Sequence, residues 1–164
     1  MEMDWGTALI GLLSILICIA PFVILYYKRL KNENKMLQSL NAIAQLHKCK
    51  ISEHEFCGDF VLGIDENKKF VYFFKQKREE AISLFVDLSE IQTCQFSKKT
   101  RNIKNNAENL VITEQIELCF LTKEKSKSQT SFELYNDEIN MQLSGELPFA
   151  DKWSNKINEY LKNK

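Results

Sequence analysis

Proline and glycine are scarce in this chain, two and five in 164 residues. Neither a proline-rich linker nor a glycine-rich phosphate loop can be built from so few, and no GxxxxGK(S/T) or GxGxxG pattern occurs. A surplus of positive charge is also missing. Lys and Arg number 22 against 22 Asp and Glu, whereas nucleic-acid binders usually carry a basic excess. Histidine is limited to His47 and His54, and neither a GxSxG nor an HExxH signature is present. An active site needs convergent polar groups in a pocket, and none can be assembled from this inventory, so no enzyme and no cofactor is expected. Five cysteines (Cys18, Cys49, Cys57, Cys94, Cys119) form an odd set. That favours free thiols in a reducing compartment over a secreted disulfide scaffold.

A local absence says more. Between Trp5 and Tyr27 (WGTALIGLLSILICIAPFVILYY) there is no Asp, Glu, Lys, Arg or His. About 20 apolar residues in a helix cross a bilayer core, so residues 5–27 are predicted to be a transmembrane helix. Trp5, Tyr26 and Tyr27 stand where interfacial aromatics commonly sit, and Pro21 does not rule out a span. Glu2 and Asp4 precede the run; Lys28, Arg29, Lys31 and Lys35 follow it. The positive-inside rule then leaves residues 1–4 as a short tail outside the cell and the remainder in the cytoplasm, as in a single-pass protein of the cell membrane. A cleaved signal peptide would begin with positive charge and carry a shorter apolar run. Ile17, before Cys18, is too bulky for a lipoprotein cleavage site.

Residues 28–47 contain no Gly or Pro and read as a juxtamembrane helix. Leu30, Leu37 and Ala44 recur every seven residues, with Met36, Leu40 and Ile43 widening the stripe. This face either lies on the following domain or pairs two chains as a coiled coil, which would make a homodimer. Glu33 and His47 at the companion positions favour the first use. Ser52 and Glu55 have the spacing of a capping box, which predicts a single helical turn.

From residue 59 the period changes to two. Strands are predicted at 59–64, 70–75, 82–87, 91–96, 110–121 and 130–135, with a short edge strand at 139–143. With no helix between them a parallel sheet is excluded, and an antiparallel meander remains. The polar residues 122–129 (TKEKSKSQ) read as a hairpin loop. After Pro148, a good first helical residue, Phe149, Trp153, Ile157 and Leu161 repeat every four positions. They predict an amphipathic C-terminal helix covering the sheet or the open end of a barrel. The fold class is α+β.

Six or seven antiparallel strands closed by a C-terminal helix with a central tryptophan, here Trp153, resemble the pleckstrin-homology-like (PH-like) fold. With the N-terminal span included, the chain is similar to small uncharacterised bacterial single-pass membrane proteins with a PH-like cytoplasmic domain. The resemblance covers residues 59–162 and rests on element order. It implies a β-barrel or sandwich over 59–164 and transfers no binding residues. Lys68 and Lys69 of the first hairpin stand beside Asp65 and Glu66, so no lipid-binding signature emerges there.

Two residue clusters could carry binding. His47, Cys49, His54 and Cys57 lie within eleven residues and hold the donor atoms of a tetrahedral zinc site, although H-x-C-x4-H-x2-C is not a common finger spacing. In a meander, alternate loops share an end, so Lys75, Lys77 and Arg78 would join Lys98, Lys99, Arg101 and Lys104 in a basic rim facing anionic headgroups. The function expected is that of a membrane-tethered binding or scaffold module whose partner is a protein or the anionic lipid surface. One alternative is a barrel that binds a small ligand or zinc; the other is a homodimerising structural protein.

Overall fold

The computed structural model describes residues 5–65, 67, 69–76, 80–105, 108–123, 129–140 and 142–163, leaving aside the side chains of 5–8, 10, 12 and 103–110. Residues 1–4, Lys68, Lys77, Arg78, the side chain of Lys104 and positions 124–128 of the predicted loop therefore lie outside the described residues.

Helix α1 runs unbroken over Trp5–Leu46, 42 residues with Pro21 inside it. The segments predicted on either side of Tyr27 are one rod, about 63 Å long at 1.5 Å per residue. It is long and apolar enough to cross a membrane. Leu13, Ile17, Phe22 and Leu25 are all exposed on it. Towards its C-terminus Met36, Leu40 and Ala44, spaced four apart on one face, are buried.

What buries them is the first of two antiparallel sheets. Strands β1 (Glu53–Cys57), β2 (Phe60–Asp65), β3 (Phe70–Gln76) and β4 (Ala81–Asp87) form it in that order. All six residues of β2 are buried. Alternation sends Phe60, Leu62 and Ile64 to the main core and Val61 to the α1 face, where it joins Tyr72, Phe74, Met36, Leu40 and Ala44. Gly63 sits under the helix. A Cβ there would come within 2.9 Å of Leu40 Cδ2 and 3.0 Å of Ile51 Cγ2, so the close approach requires glycine. The His47 ring lies 4.2 Å from that of Phe85 and 6.1 Å from that of Phe70. Phe74, at the opposite end of β3, is buried in the cluster that holds Met36. The helix thus crosses the sheet from the end where β3 finishes to the end where it begins, and its apolar half leaves the domain past Phe74.

The second sheet contains β5 (Ile91–Asn105), β6 (Glu108–Thr122) and β7 (Thr130–Asn136), again in chain order. The Leu88-Ser89-Glu90 turn does not close a hairpin; it passes the chain from one sheet to the other, and the meander breaks there. Aromatic rings fill the space between the sheets. Phe73 stacks on Phe132 at 5.0 Å, Phe120 meets Phe132 edge-on at 4.8 Å, and Phe60 meets Phe149 at 5.1 Å.

Helix α2 (Glu146–Lys162) covers this core with Phe149, Ala150, Trp153 and Ile157. It starts two residues before Pro148, which falls within its first turn. Trp153 Nε1 donates to Glu55 at 2.8 Å, Lys152 reaches the same carboxylate at 2.9 Å, and Lys156 pairs with Glu53. On the other side, Asn158 Oδ1 accepts from Cys94 N–H at 2.9 Å and Asn158 Nδ2 donates to Cys94 C=O at 2.7 Å. One side chain thus does what a neighbouring strand residue would, and α2 closes the corner between β1 and β5.

Three elements differ from the sequence expectation. Strand β5, expected at 91–96 and followed by a loop, runs on to Asn105. Residues 53–57 are a strand, not a capped helical turn, because Glu55 reaches across to Trp153 and Cys57 faces the core. At 139–143 the described residues form turns and no edge strand; Ile139 and Asn140 bond back to Asn136 C=O at 3.1 and 2.9 Å.

Candidate functional site

The four candidate zinc ligands do not converge. Cys49 lies in the cluster between α1 and the first sheet, while Cys57 belongs to the core on the other face of that sheet. His54 and Cys57 are three apart on β1, so alternation points them to opposite faces. His47 is turned onto Phe85. Among the described residues no group of three or more His, Cys, Asp or Glu is placed to hold a metal. A compact stretch of donors is scattered by a helix end, a turn and a strand.

The basic rim is also revised. Lys75 is wholly buried. It shares the inner face of β3 with Val71 and Phe73, and its Nζ donates to the carbonyls of Glu133 and Leu134, both at 3.3 Å, with Glu133 Oε1 at 3.8 Å. A lysine at a predicted strand end reads as a surface charge; here it ties the end of β3 to β7. Lys98, Lys99 and Arg101 are exposed but stand within β5, not in a loop. Lys99 pairs with Glu114 at 3.3 Å, and Arg101 with Glu114 at 3.5 Å and Asp137 at 3.6 Å.

Around Lys75 a polar cluster seals that end of the core. Glu146 is buried at the start of α2 and accepts from Ser144 N–H at 2.6 Å. Burial raises the Asp59 carboxyl above its ordinary value, against the lowering effect of Lys75 and of a hydrogen bond from Asn140. Burial, then the carboxylates of Glu146, Asp59 and Glu55, push the Cys57 thiol up to about 12. A thiol held neutral is a poor nucleophile, and the Lys75 ammonium is engaged by backbone carbonyls.

Both sheets end in edge strands, β1 and β4 in one and β5 and β7 in the other, and the β5 edge is the one beside which Asn158 of α2 packs. A cleft of about 510 Å³ runs there, lined by Gln92, Thr93, Asn155, Asn158, Leu161 and Lys162. Since Cys94 turns its N–H and C=O to Asn158, strand alternation aims those of Phe96 and Lys98 at the same edge. Phe96 is 38% exposed there. No run of residue types marks this edge in the sequence; it follows only from knowing that α2 packs beside β5.

Compared with known proteins, the chain matches no family model, no curated protein and no solved structure.

Proposed function

We propose that the chain is a membrane-tethered binding module of PH-like fold, anchored through residues 5–27, which works on the cytoplasmic face and catalyses no reaction. Four strands in one sheet, three in the next and a closing helix with a buried tryptophan support the PH-like reading. The outward-facing Leu, Ile and Phe side chains of α1 support the anchor, because water is a poor solvent for so continuous an apolar surface. The charges of Lys28, Arg29, Lys31 and Lys35 after the span support the orientation.

The observation that carries the binding reading is the β5 edge. An extended segment of a protein partner would add to it as a further strand, bonded to the backbone of Phe96 and Lys98, with its side chains entering the cleft beside α2. The alternatives are less well supported. The space a barrel would use to enclose a small molecule holds Phe60, Phe73, Phe120 and Phe132. Of the helical face that would pair two chains, Met36, Leu40 and Ala44 are covered within one chain by Val61, Tyr72 and Phe74.

The test is photo-cross-linking in native membranes from Phe96, with exposed Ser83 on β4 as control, and the variant Lys98→Pro. Proline removes an outward N–H while leaving the β5–β6 ladder intact. An adduct from Phe96, none from Ser83, and loss of the first with Lys98→Pro would support strand addition. Equal adducts from both positions, or one indifferent to the proline, would contradict it.

A further inference from the structure

The β5–β6 hairpin is longer than the domain needs. Three strands lie abreast up to the rung of Lys99, Gln115 and Asn136. Past it β5 continues for six more residues to Asn105, paired only with β6. At about 3.3 Å per residue this two-stranded ribbon projects about 20 Å. Among its described side chains Val111 and Ile112, adjacent on β6 and so on opposite faces, are 65% and 36% exposed. A two-stranded ribbon that carries apolar side chains into water lacks the packing that would hold it.

Its direction supplies the missing surface. β3 and β5 run the same way along the fold, since β4 reverses the first and the Leu88–Glu90 turn reverses β4. The ribbon therefore projects past the end of the domain where β3 finishes, and this is the end past which the apolar half of α1 departs. From Met36, the first buried residue of that helix among the described side chains, back to Tyr27 is nine residues, or about 14 Å along the axis. Ribbon and stalk are of comparable length and leave the same end.

Resting on the reading of α1 as an anchor, we propose that the β5–β6 ribbon is a second membrane contact, which sets Val111 and Ile112 into the headgroup region of the bilayer that α1 spans. Lys98, Lys99 and Arg101 stand at its base. Glu114 and Asp137 balance part of their charge, so the apolar pair provides the contact and anionic lipid strengthens it. With two contacts the domain cannot swivel about its stalk, and the β5 edge is held at one orientation to the membrane.

The experiment uses the full chain in lipid nanodiscs with brominated acyl chains, of phosphatidylcholine alone or mixed with phosphatidylserine. An environment-sensitive fluorescent amino acid is placed at Asn102, the cross-strand neighbour of Val111, or at Ser89 at the opposite end as control. Bromine quenching at Asn102 but not at Ser89, stronger with phosphatidylserine and abolished by Val111→Asp with Ile112→Asp, is the expected result. Quenching at Asn102 no greater than at Ser89, while the chain stays in the discs, would overturn the proposal and leave the anchor standing. A blue shift at Asn102 without bromine quenching would also overturn it, since protein would then cover the ribbon. Release of the chain from the discs would sink the anchor, and the proposal with it.

Discussion

Leu16 and Leu40 belong to one helix, yet the first is 58% exposed and the second is fully buried. Around Leu16 no side of the rod carries a charge, and among the described residues no protein covers it. Around Leu40 only one stripe is apolar, with Met36 and Ala44, and that stripe lies on β2 and β3. The difference shows that one helix carries two kinds of surface. An all-round apolar surface suits lipid, whereas a single stripe suits a protein face. The boundary lies at Lys28–Lys35, where the charges gather.

Exchanging the demands on the two halves gives the sharpest tests. Leu40→Asp places an unpaired carboxylate between α1 and Gly63 and should cost on the order of 4 kcal/mol. Thermal unfolding of the detergent-solubilised chain should show it as the largest loss of Tm in this set. Leu16→Arg puts a charge near the centre of the exposed half, costing about 3 kcal/mol of insertion. Carbonate extraction should then release more of the chain, while near-ultraviolet circular dichroism of the folded domain stays as in the wild type. If Leu16→Arg unfolded the domain, or Leu40→Asp left Tm unchanged, the division of the helix would be wrong.

Smaller effects refine the docked half and the corner beside it. Gly63→Ala forces a methyl against Leu40 and Ile51 and should cost about 1–3 kcal/mol, again read from Tm. Asn158→Ala removes both bonds to Cys94 and should cost about 1 kcal/mol for each backbone group that water does not reach; amide exchange at Cys94 should rise with it. Alkaline pH gives the mildest signal. Burial pushes the thiols of Cys94 and Cys57 up to about 12, whereas an ordinary thiol begins at 9.0. The folded chain then holds these protons where the unfolded chain releases them, so stability declines as pH rises from about 9 towards 12. Replacing both by alanine should flatten that decline in chemical-denaturation curves.

Much of the fold is legible from periodicity. The apolar run of α1, the apolar strands β2 and β3, the alternation of β6 and the four-residue stripe of α2 each follow from local residue pattern. β1 is not, because EHEFC is polar on the face that α2 covers through Glu53 and Glu55, and polar residues at that spacing resemble a helix cap. The turn at 139–143 misleads in the opposite sense, as alternation without a neighbour to pair. Among the candidate site residues, Lys75 misleads for a similar reason: its charge is satisfied by carbonyls of β7, fifty-eight residues and more away in sequence. Such long-range satisfaction leaves no local trace. The β5 edge is likewise visible only once Asn158 is seen against Cys94.

Spin labels scanned along α1 of the full chain in proteoliposomes distinguish lipid from water and from protein around each half of the helix, by accessibility to oxygen and to a water-soluble nickel chelate. High oxygen and low nickel accessibility is expected at Leu13, Leu16 and Phe22, and low accessibility to both at Leu40. Nickel-accessible labels at the first three positions would contradict the reading of α1 as an anchor, because the apolar half of the helix would then lie in water.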